Sequence, residues 1–61
     1  MNDWISLKNR LPKKDTLVGV RDFYGNVLIA QVREYNPGKK YWEDTDEIKY
    51  PIDFFKEWRD K

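Results

Sequence analysis

Sixty-one residues carry 12 Lys/Arg against 11 Asp/Glu, a net charge of +1, with no histidine and no cysteine. So short a chain forms one domain, residues 1–61, and buries only about 60% of the surface its unfolded form exposes. The composition excludes disulfide staples, thiolate zinc sites and any catalytic triad built on an imidazole base, so stability has to come from packing three Trp, four Tyr and three Phe.

The first element is Trp-Ile-Ser-Leu-Lys-Asn-Arg-Leu-Pro at 4–12. Ile5 and Leu7 alternate with Ser6 as in a short strand, while Ser6 can cap a single turn from Leu7 to Arg10 that Pro12 ends. With Trp4, Leu7 and Leu11 near one side, the stretch reads as an N-terminal plug laid across a sheet, with Trp4 in the core. Lys-Lys-Asp-Thr (13–16) is a turn. Thr16–Asp22 is a strand with Val18 and Val20 on one face, and Gly19 between them predicts a bulge or a close backbone approach. Phe-Tyr-Gly-Asn (23–26) is a hairpin loop. Val27–Tyr35 is the strongest strand: Leu28, Ala30 and Val32 face one way, and Val27, Ile29, Gln31, Arg33 and Tyr35 the other. Both faces start apolar, which predicts a central strand covered on both sides at its beginning. Asn-Pro-Gly-Lys (36–39) is a type II turn, and Lys40–Asp44 a third strand. Thr45–Pro51 is a polar excursion anchored by Ile48.

The end stays open between two readings. Pro51, an early Asp53 and a late Arg59 and Lys61 are helix signals that would put Ile52, Phe55 and Trp58 on one side, and the same residues also fit a last strand. The expected fold is mainly β, with a small α+β arrangement as the alternative. It is a three-stranded antiparallel meander with the N-terminal plug and a C-terminal strand or short helix packed on it. No apolar run approaches a membrane span and no signal peptide is recognisable, so a cytoplasmic protein without membrane contact is expected.

The opening at 4–12 resembles the signature of the domain of unknown function 551 family, Trp-Ile-Ser-(Val/Leu)-x-x-Arg-Leu-Pro. The order Val18–Val20, Gly25, Tyr41–Trp42 follows that family more loosely. Phe54, Phe55, Glu57 and Arg59 depart from its Thr-His-Trp-Met-Pro-Leu-Pro-like ending. The resemblance implies a phage or prophage origin, in a bacterial host, and transfers neither an activity nor catalytic residues.

Charge is segregated. Residues 1–40 hold eight basic against four acidic side chains, and residues 41–61 hold four against seven, which fits either a solvated mixed surface or two ends that steer different partners. Glu-Asp-Thr-Asp-Glu (43–47) lacks the glycine and distal glutamate of a calcium loop, so it reads as an exposed acidic turn. No metal, cofactor or catalytic residue is expected, and an enzyme is disfavoured. The partner-binding candidates are Arg21, Phe23, Tyr24, Asn26 and Arg33, because exposed aromatics beside arginine resemble interface hot spots. The plain alternative folds Phe23 back onto the core. A second set, Lys8, Arg10, Lys13, Lys14, Lys39 and Lys40, would suit a single-stranded nucleic-acid-binding module, although acids at 15, 34 and 43–44 interrupt it. A third reading is a structural module that homodimerises through Lys40–Asp44 as an exposed edge strand. The leading expectation is a non-catalytic phage protein that binds, and inhibits, a host or phage protein such as a defence or replication factor.

Overall fold

The computed structural model describes residues 3–60 and is all-β. Six strands, β1 (Ile5–Ser6), β2 (Val18–Asp22), β3 (Val27–Asn36), β4 (Lys39–Asp44), β5 (Lys49–Pro51) and β6 (Phe55–Asp60), form one antiparallel sheet in the order β1-β6-β2-β3-β4-β5. The expected three-strand meander is therefore the middle of a larger sheet. β5 extends it on one side, and β6 returns to pair with β2 on the other.

That return forces the sheet to curl. β5 and β6 are four strand spacings apart, about 19 Å across a flat sheet, yet the chain from Pro51 to Phe55 spans at most about 14 Å. Curling brings the concave sides of β4 and β6 together: Trp42 meets Phe55 edge-on at 5.6 Å, and Tyr50 meets Phe55 at 5.3 Å. The core is Val18, Val20, Ala30, Val32, Trp42, Phe55 and Trp58, with Ile5, Leu7, Leu11, Leu28, Tyr50 and Ile52 packed around it. Two indoles pin the flanking segments. Trp42 Nε1 donates to the Ile52 carbonyl and Trp58 Nε1 to the Arg10 carbonyl, each at 3.0 Å.

The C-terminal ambiguity resolves as a strand containing a bulge. Arg21 opposes Glu57 while Asp22 opposes Phe55, so Lys56 is an extra residue. One extra residue flips the side-chain parity, which puts Phe55 and Trp58 on the same face at a spacing of three. A helix and a bulged strand thus give the same apolar pattern. Tyr35 is a second extra residue, between Glu34–Lys40 and Asn36–Lys39. Gly19, where a bulge was expected, lies in unbroken register, and a Cβ there would make only ordinary contact with Arg59.

Three further expectations are corrected. Trp4 is not core. Only half-buried, it packs against the guanidinium groups of both Arg21 and Arg59, 4.4 and 4.7 Å from its ring centroid. A flat indole face also attracts cations, so a tryptophan can be held at the surface by arginines. The rest of the plug behaves as read: Ser6 Oγ accepts from Lys8 N, the Ser6 carbonyl accepts from Asn9 N and Arg10 N, and Leu7 and Leu11 reach the core. The outer face of β3 is not covered at its start, because among the described residues no second layer lies over it and Val27 stays exposed. Lys40–Asp44 is not an edge, since β4 is paired on both sides. The sheet's edges are β1 and β5, two and three residues long, the latter ending in Pro51. Such short edges discourage strand addition. Among the described residues no helix is long and apolar enough to cross a membrane.

Candidate functional site

The β2–β3 loop is built by Asp22. Its buried carboxylate accepts from Tyr24 N at 2.8 Å and Asn26 N at 2.9 Å through one oxygen, and from Asn26 Nδ2 at 3.2 Å through the other. Asp22 N donates to the Asn26 carbonyl, and Gly25 N to the Asp22 carbonyl. Gly25 closes the turn at φ 91°, a conformation that costs glycine nothing. Burial pushes the Asp22 carboxyl up, but the donors from Asn26, Tyr24 and Gly25 together outweigh it and hold it below its ordinary value. The loop is thus held from inside, and its two central side chains are left largely to solvent. Phe23 is 67% and Tyr24 90% exposed. The alternative in which Phe23 folds back onto the core is not what forms.

Beside the tip lies a cavity of about 500 Å³, lined by Leu7, Leu11, Phe23, Ile52 and Phe55, with Lys8, Lys56, Asp53 and Ser6 at its polar margin. Its wall comes from three separate stretches: the N-terminal turn, the hairpin tip and the segment around the β6 bulge. Apolar walls with a few charged groups are what a partner's anchoring side chain fills.

The other candidates are otherwise engaged. Arg21 forms an ion pair with Glu57 and stacks on Trp4. Asn26 is spent on Asp22. Arg33 bridges Asp15 at 3.1 Å and Glu43 at 3.2 Å. These three support the fold, while Phe23 and Tyr24 stand free. The basic set does not form one patch. Lys8 borders the cavity, and the Arg10 guanidinium lies 5.5 Å from the Trp58 ring. Lys14 pairs with Glu34 at 3.1 Å, and the same glutamate accepts from Gly38 N at 2.7 Å, so the 13–15 turn meets the Lys39–Lys40 turn. The Gly38 amide and then Lys14 hold the Glu34 carboxyl below its usual value. Lys13 is exposed.

Sequence reasoning missed the cavity and also a second concavity of about 500 Å³ lined by Tyr35, Lys40, Tyr41, Lys49, Tyr50 and Pro51. The signal for the second was present as tyrosines flanking a lysine-rich turn, but the bulge that turns Tyr35 beside Tyr41 was not. In the acidic stretch, Asp44 accepts from Asp46 N, Ile48 N and Tyr50 Oη, so its charge serves the turn. Among the described residues no group of three or more acidic side chains converges to hold a metal. Compared with known protein families, curated proteins and solved structures, the chain matches none. The reading of function rests on this geometry.

Proposed function

We propose that this is a non-catalytic accessory protein of the phage type, acting in the cytoplasm of a bacterial host. It occupies a surface of a host or phage protein, such as a defence or replication factor, and thereby inhibits it. The phage association is what the resemblance of residues 4–12 implies. The observation that carries the binding mode is the Phe23–Tyr24 tip: two exposed aromatics on a backbone already fixed by Asp22, beside an apolar cavity. A pre-ordered tip loses little entropy on docking, and aromatic anchors concentrate binding energy. The partner inserts an apolar side chain into the cavity while Tyr24 packs against it. Lys8 and Lys56 favour acidic neighbours around that anchor.

Affinity capture with the immobilised protein tests the reading. Tyr24→Ala is expected to weaken capture at least about tenfold, on the order of 1.4 kcal/mol, with an unchanged melting temperature. Phe23→Ala is expected to weaken capture and lower stability slightly, because its ring also lines the cavity. Capture that survives both substitutions places the binding face elsewhere.

A further inference from the structure

The second concavity, around Tyr35 and Tyr41, shares no lining residue with the cavity at the tip. Tyr35 is displayed by its bulge, 65% exposed, with its ring 5.6 Å from that of Tyr41 and tilted by 52°. Tyr41 projects from β4 across from Pro51 of β5, and Lys49 and Lys40 stand at the margin. A bulge that exposes an aromatic ring contributes nothing to the core. An exposed tyrosine beside a half-buried one, in a concave, lysine-edged surface, calls for a flat, anionic occupant.

The local charge points the same way. Most carboxylates near this region are already engaged: Asp15 and Glu43 by Arg33, Glu34 by Lys14, and Asp44 by the Tyr50 hydroxyl and the amides of its own loop, while Asp46 adds negative charge near Tyr50. Glu43 also lies 3.9 Å from Lys49, whose side chain remains 63% exposed. Among the described residues Lys39 and Lys40 form no salt bridge. Two lysines are therefore left unpaired on the side of the groove where the Tyr35 ring is exposed. Aromatic faces for bases beside lysines for phosphates are the elements of a single-strand platform. A proline-rich segment also docks on aromatic grooves, but it would leave the lysines without a counter-charge.

We propose that the Tyr35–Tyr41 groove binds single-stranded nucleic acid, stacking bases on the two rings and seating the adjoining phosphates on Lys40 and Lys49. Duplex binds poorly, because its bases are already stacked on one another. Sequence preference is weak, because every base offers a π-face. With two lysines engaged, the affinity is modest and depends on salt.

Fluorescence anisotropy with a labelled oligothymidylate of about a dozen nucleotides, at about 50 mM salt, tests this. Binding in the range of tens of micromolar is expected, on the order of 6 kcal/mol, with log affinity falling against log salt at a slope near −1.4, about 0.7 for each of two phosphates. Tyr35→Ala is expected to weaken binding about tenfold, within the range for one stacked base, without changing the melting temperature. Lys40→Gln with Lys49→Gln should flatten the salt slope towards zero, and Tyr24→Ala should leave binding unchanged. The proposal is overturned if no binding is seen at about 200 μM protein, well above the affinity expected of a two-lysine site. It is equally overturned if duplex binds as tightly, if Lys13→Gln with Lys14→Gln flattens the slope while the groove variants do not, or if a neutral proline-rich peptide binds the groove and the oligonucleotide does not.

Discussion

Two hairpin loops of this protein, Asp22–Asn26 and Asp44–Ile48, share one construction. In each, an aspartate opens the loop and one carboxylate oxygen accepts from the backbone N–H two and four residues on. The aspartate's own N–H donates to the carbonyl of the fifth residue, and its carbonyl accepts from the fourth. The fourth residue is left-handed in both, Gly25 at φ 91° and Glu47 at φ 65°. Even the second carboxylate oxygen is matched, by Asn26 in one loop and by the Tyr50 hydroxyl in the other. What differs is what the loops display: Phe23 and Tyr24 on one, Thr45, Asp46 and Glu47 on the other, all exposed. Because the backbone of each is held by its aspartate, the side chains at the tip are free to vary. A loop that stabilised the fold through its tip residues would bury them.

The largest effect expected is one that breaks both loops together. Trp42 is fully buried and underlies the curl that joins β4 to β6. Trp42→Ala should cost about 3–5 kcal/mol, comparable to the whole stability of so small a domain, and circular dichroism should show it largely unfolded. The next change separates the loops by function. Asp46→Asn with Glu47→Gln is expected to leave partner capture within about twofold, under 0.5 kcal/mol. If capture fails there instead, the acidic hairpin is the binding face. A smaller effect tests the shared backbone. Gly25→Ala should destabilise by about 1 kcal/mol, although a Cβ there meets open space, whereas Glu47→Gly should change stability in the opposite direction.

The smallest effect is in pH. Both loop aspartates sit below their ordinary values. At Asp44 the Ile48 amide is the main cause, helped by Tyr50 and Asp46 against burial. A carboxyl depressed in the folded state stabilises above its unfolded value, near about 4, and that contribution is lost as pH falls through the folded value. Melting temperature should therefore drop below about pH 4 for both loops. Only the second loop has an alkaline counterpart. The bond to Asp44, then burial, raises the Tyr50 hydroxyl, so its contribution is complete below its ordinary value near about 10 and lost above it. Tyr50→Phe should remove this alkaline decline and leave the first loop untouched.

The same contrast explains what was legible in the sequence. Phe-Tyr-Gly-Asn was recognisable as a hairpin because Gly25 advertises its backbone. Thr-Asp-Glu-Ile was not, because Glu47 takes the left-handed position that glycine or asparagine usually signals. The strands read at 16–22, 27–35 and 40–44 were legible from alternation and β-branched residues, the first forming only from Val18. β1 and β5 are too short to show a period, and at β6 the Lys56 bulge converts strand alternation into helix-like spacing. Trp4 departs from the core reading because hydrophobicity alone does not distinguish a core indole from one that packs against two arginines. The aromatic tip of the candidate site was visible as neighbouring residues. Its cavity was not, since Leu7, Leu11, Ile52 and Phe55 come together only when the sheet curls.

Exchanging the displayed residues between the two loops gives the most direct test: Phe23→Thr and Tyr24→Asp combined with Thr45→Phe and Asp46→Tyr. All four positions are exposed and both backbones are held by their aspartates, so the melting temperature should stay within a few degrees, about 1 kcal/mol or less. Partner capture, measured against the unaltered protein, should be lost, because Phe23 no longer lines the cavity of Leu7, Leu11, Ile52 and Phe55 and Tyr24 no longer stands next to it in the chain. Capture that persists in the folded exchange variant would contradict the assignment of the binding site to the aromatic tip and its cavity.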